Sequence, residues 1–120
     1  MKTAFATLLL ALELTPTTAA VAAKGPAQIC PHLVRDYARK ADLPAGARAI
    51  LPAMAERGGR FNVTDAIRPG DQNLPFNRFI SARQSGCTLS VRYEYGGIAH
   101  GFATALLEQR GRAWVLVRQR

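Results

Sequence analysis

The side-chain groupings that most enzymes and metalloproteins rely on are missing from this chain. Its two histidines, His32 and His100, stand far apart, with no HxH or HExxH spacing and no Cys/His cluster to hold a metal. No GxSxG elbow surrounds Ser81, Ser85 or Ser90, and the carboxylates Asp65, Asp71, Glu94 and Glu108 are scattered, with no pair suited to glycoside chemistry. Gly96-Gly97 followed by Gly101 is not a phosphate loop, because it links two strand-like segments and opens no helix. No catalytic residue, metal or cofactor is therefore assigned. Long apolar runs are equally scarce: Ala4 to Leu14, broken by Glu13, is too short to cross a bilayer, and no transmembrane segment is expected downstream of it. Acidic residues are few, with 8 Asp plus Glu against 16 Lys plus Arg.

What is present points first to a compartment. Lys2, the apolar run, the break Thr15-Pro16-Thr17-Thr18 and the small residues Ala20, Ala22 and Ala23 form the three regions of an export signal. Residues 1–23 are read as that signal, cleaved after Ala22 or Ala23, and residues 24–120 as a single exported α+β domain, periplasmic or secreted. Ala27-Gln28-Ile29 before Cys30 does not resemble a lipobox, which argues against lipid attachment. In an oxidising compartment two cysteines read as a bridge, and closing the long Cys30–Cys87 loop contributes roughly 4 kcal/mol in the chain-entropy model. Asn62-Val63-Thr64 matches a glycosylation sequon, which matters only in a eukaryotic secretory pathway.

The net charge of +8 draws the protein toward anionic surfaces. For an exported protein these are an anionic envelope polymer or an acidic protein rather than nucleic acid, for which no recognition motif is present. Arg110, Arg112, Arg118 and Arg120 gather only at the C-terminal hairpin.

Hydrophobic periodicity predicts helices first and strands after. Leu33, Val34, Tyr37, Ala38 and Ala41 recur at spacings of three and four, predicting one helix, and Ile50, Leu51, Met54 and Ala55 predict a second from about Ala47 to Arg57, stopped by Gly58-Gly59. Pro52 delays the regular part of the second. Phe61, Val63 and Ile67 then alternate with polar residues, Arg68-Pro69-Gly70-Asp71 is a turn, and Phe76 to Arg83 reads as a strand whose apolar face Arg78 interrupts. Cys87 to Tyr95 is the clearest half-buried strand, Ile98 to Leu107 the return, and Ala113 to Arg118 the last, after a turn at Arg110-Gly111. The expected fold is α+β: two N-terminal helices packed on a curved antiparallel meander sheet of four to five strands, with one disulfide. In element order alone this resembles the cystatin-like and NTF2-like helix-on-sheet folds.

With Gly96-Gly97 as a two-residue turn, Tyr95 pairs with Ile98, Tyr93 with His100, Val91 with Phe102 and Leu89 with Thr104 on the core face. The opposite face then carries Ser90, Arg92 and Glu94 beside Gly101, Ala103 and Ala105, a small-residue surface on which another could lie closely.

Arg92, Tyr93, Tyr95, Gly96, Gly97 and His100 are the candidate binding residues, because aromatic and arginine side chains around a glycine turn combine large contact area with close backbone approach. The expected function is a protein-binding inhibitor, such as an immunity protein, that blocks an enzyme or toxin acting on the cell wall or envelope. The alternative is a small ligand- or envelope-polymer-binding protein with a pocket between helices and sheet. A third reading, an enzyme using His100 with Tyr93 or Glu94, has no motif behind it.

Overall fold

The computed structural model describes Cys30 and residues 32–120; the expected export signal over 1–23 lies outside the described residues. Five antiparallel strands follow one another in sequence and in space: β1 (Val34–Tyr37), β2 (Asn77–Ser85), β3 (Thr88–Tyr95), β4 (Gly101–Arg110) and β5 (Ala113–Gln119). The meander is as the alternation predicts, and two of its turns are tight. Ser85 pairs with Thr88 around Gly86-Cys87, and Arg110 with Ala113 around Gly111-Arg112. Each of these turns opens on a glycine in the left-handed region, φ 59° at Gly86 and 65° at Gly111, as hairpins that match strand twist require.

Neither expected helix forms over its predicted length. The first stripe becomes β1, where Val34, Arg35, Asp36 and Tyr37 pair with Ser85, Gln84, Arg83 and Ala82. An isolated helix of about ten residues is marginal in water, whereas pairing on an existing strand satisfies the same backbone groups. Cys30 is joined to Cys87 with Cα atoms 5.1 Å apart, which ties this segment to the β2–β3 turn and favours the pairing. Of the expected stripe only Tyr37 is buried. The chain then makes a single 3-10 turn, Lys40–Asp42, whose Lys40 and Ala41 amides donate to the Glu56 carboxylate at 2.5 and 3.1 Å.

The second helix survives as one short piece, α1 (Ala45–Ile50). Leu51 stops it at φ −76°, ψ 152°, the extended geometry imposed on a residue that precedes proline. Beyond Pro52 the chain stays extended beside β2, where the Ala55 amide donates to the Asn77 carbonyl at 2.8 Å and Phe79 donates back to Ala55 at 2.9 Å. Resemblance to helix-on-sheet folds therefore ends with the sheet.

One sheet face is packed. Phe79 and Ala82 of β2, Leu89, Val91 and Tyr93 of β3, Ala103, Ala105 and Leu107 of β4 and Trp114 of β5 form one cluster with Leu43, Ala47 and Met54 of the connecting segment. A bulge at Ile80 lets Phe79 and Ala82 share that face although they are three residues apart. Gly46 of α1 lies against the Trp114 ring, since a Cβ there would stand 3.1 Å from Cδ1.

The β3–β4 register differs from expectation. Tyr95 pairs with Gly101, not Ile98, so the connection is Gly96 to His100 and the slip is three residues. An odd slip exchanges the faces of β4. Ala103, Ala105 and Leu107 enter the core opposite Tyr93, Val91 and Leu89, while Phe102, Thr104 and Leu106 point outward. The reason lies at both ends of the loop. Gly96 and Gly97 spend their amides on Phe76 and Val63 carbonyls at 2.7 and 3.1 Å rather than on a closing turn. Tyr95 folds its ring over Gly101, where a Cβ would stand 2.8 Å from Cζ.

The segment expected to alternate over 61–67 is a loop, with a lone bridge from Thr64 to Gly97. Buried Asn62 organises it: its side-chain amide donates to the Asp71 and Leu74 carbonyls at 3.1 and 3.0 Å. The turn at Arg68-Pro69-Gly70-Asp71 is as expected, closed by Asp71 N–H to the Arg68 carbonyl at 3.0 Å with Gly70 at φ 91°.

Candidate binding loop and open sheet face

The loop from Gly96 to His100 is held at its base and free at its tip. Gly96 sits against the 61–64 loop so closely that a Cβ would come within 2.2 Å of the Asn62 carbonyl oxygen. Gly97, at φ 103°, takes a conformation that a β-branched residue could not share. At the tip Ile98 is 97% exposed, far more than any other large apolar side chain among the described residues. Burying such a side chain in a partner is worth about 1.5–3 kcal/mol.

The far side of the loop is fixed by an ionic relay across the outer sheet face. Glu94 receives Arg78 Nη2 at 2.6 Å and Nε at 3.1 Å on one oxygen, while its other oxygen lies 2.7 Å from His100 Nε2. The His100 hydrogen bond, against the opposing effect of burial and with the help of Arg78, holds the Glu94 carboxyl below its ordinary value. Arg78 in turn stacks its guanidinium over Phe61 at 4.5 Å and reaches the Gly59 carbonyl. Arg78 interrupts the apolar pattern of β2 because Glu94 is its cross-strand partner. That interruption was the signal for the relay, which scattered carboxylates alone did not give.

The six sequence-derived residues thus fall into different places. Gly96, Gly97 and His100 belong to the loop, and Tyr95 is a half-buried prop beneath its end. Arg92 lies on the outer face, its guanidinium 5.7 Å from the centre of the exposed Phe102 ring, and that ring is 6.0 Å from His100. Tyr93 is 2% exposed, accepts a hydrogen bond from Gln119 Nε2 and is unavailable to a partner. Burial, reinforced by Tyr95, pushes its hydroxyl up. Ile98 and Phe102 were the residues the sequence reading missed; the assumed two-residue turn had placed both on the core face.

His100 is oriented by a carboxylate, which is half of a general-base arrangement. Among the described residues its side chain bonds only to Glu94, and no serine, threonine or cysteine side chain is within hydrogen-bonding reach as a nucleophile. The ring is held at Nε2 by Glu94 and lies beside Phe102.

A second feature is a groove of about 520 Å³ on the outer sheet face, lined by residues of β1 to β4 together with Arg57. On the packed face Leu43, Ala47 and Met54 lie against the sheet where the helices were expected. Among the described residues no helix is long and apolar enough to cross a membrane.

Compared with known proteins, the chain matches no protein-family model, no curated protein and no solved structure. The functional reading rests on the geometry.

Proposed function

We propose that this is an exported protein-binding inhibitor whose Gly96–His100 loop enters the cleft of an enzyme acting on the cell wall or envelope. The observation that carries the reading is Ile98: a large apolar side chain stands in solvent on a loop whose base is bonded to Phe76 and Val63. Burying this side chain in a partner's cleft is favourable, and a pre-formed loop loses little conformational entropy on docking. His100 and Phe102 provide a polar and an aromatic contact behind the tip. The net charge speeds encounter with an acidic partner.

Inhibition assays on cell-wall hydrolases, lysozyme-type enzymes first, test this directly. The wild-type protein is expected to slow at least one of them at stoichiometric concentrations. Ile98→Asp is expected to weaken that inhibition by about 2 kcal/mol or more without lowering the melting temperature, since its side chain touches no core residue. Undiminished inhibition by Ile98→Asp, or no inhibition of any envelope-acting enzyme, overturns the proposal.

A further inference from the structure

The strand register sets two rows of outward side chains across the sheet. One runs Asp36, Arg83, Ser90 from β1 to β3, and the next runs Ser81, Arg92, Thr104 from β2 to β4. Together with Arg57 from the connecting segment they line the open groove. Three guanidiniums against one carboxylate leave two positive charges there, and the one available pairing, Arg83 to Asp36, is loose at 3.8 Å between exposed groups. Arg83 and Arg92 stand on adjacent rows of neighbouring strands, with the Arg83 guanidinium reaching toward Asp36 of β1 and the Arg92 guanidinium toward Phe102 of β4, so the two flank the groove from opposite sides. An anion seated between them would meet positive charge on both sides.

The lining also indicates what kind of anion. Guanidinium forks and the three hydroxyls of Ser81, Ser90 and Thr104 can donate from several directions, which matches a tetrahedral oxyanion better than a planar carboxylate. Tyr37 in the lining is buried and a single exposed ring, Phe102, lies beside Arg92, which does not supply the row of platforms on which successive bases stack in single-stranded nucleic-acid grooves. We propose that this groove binds a linear phosphate-bearing chain without aromatic groups, at a site separate from the Gly96–His100 loop.

Calorimetric titration with inorganic tripolyphosphate at physiological ionic strength tests the site. One tripolyphosphate per protein is expected, with Arg83→Gln and Arg57→Gln each weakening binding about fivefold or more. Arg112→Gln, on the β4–β5 turn, removes the same charge elsewhere and is expected to change affinity less than about twofold. Both Arg57 and Arg83 are exposed, so unchanged melting of the variants is expected alongside the lost affinity. Ile98→Asp should leave phosphate binding intact, which separates failure of this site from failure of the loop. Absence of saturable binding, equal weakening by Arg112→Gln, or citrate binding as tightly as tripolyphosphate would overturn the assignment.

Discussion

Glu94 does more than any other single side chain to fix the candidate loop. It is 9% exposed, yet it remains ionised because Arg78 and His100 both bond to it. Its carboxyl titrates lower in the folded protein than in the unfolded chain, so its contribution is complete above the ordinary glutamate range and is lost as pH falls through the lowered value. Acid titration followed by circular dichroism is expected to show wild-type stability falling below about pH 4.3, with that part of the fall absent in Glu94→Ala. At neutral pH Glu94→Ala is expected to cost about 1.5–3 kcal/mol, the worth of hydrogen bonds to a charged group, and to free the His100 ring. Gly96 carries a steric rather than an electrostatic constraint. Gly96→Ala drives a methyl into the Asn62 and Val63 backbone and should destabilise by about 2–4 kcal/mol in chemical denaturation, in line with strain at a closely packed backbone position.

At the scale of elements, alternation was legible and context was not. Leu89, Val91 and Tyr93 on β3 could be read as core from sequence, since a period of two has one interpretation in a run that long. Leu33, Val34, Tyr37 and Ala38 fit a helical stripe and a short strand equally well, and a partner distant in sequence decided the matter. The return strand was placed correctly to within a few residues, but its faces were exchanged, because Gly96-Gly97 binds the 61–64 loop rather than turning on itself. Cys30 and Cys87 were paired correctly. Their bridge meets the β2–β3 turn, not the interior of a central strand, and holds the edge strand β1 in place. Cys87→Ser is therefore expected to cost about 2–5 kcal/mol by thermal or denaturant melting. Amide exchange should quicken first in Val34–Tyr37, while β3 and β4 stay protected.

For the molecule as a whole, the two faces of the sheet differ in character. One face is closed by Trp114, Phe79 and the connecting segment; the other carries arginines, hydroxyls and the Glu94 relay, with the loop projecting from one end. Composition showed the basic charge, but only the register determines which side chains share the outer face. The central claim is that the Gly96–His100 loop is where a partner binds. Hydrogen–deuterium exchange of the protein alone and with a saturating amount of a hydrolase that it inhibits tests this most directly. Slowed exchange at residues 97–102, with the β5 edge and the Arg83 side of the sheet unchanged, is the predicted result. Protection confined to β1, the groove or β5, with the loop exchanging as in the free protein, would contradict it.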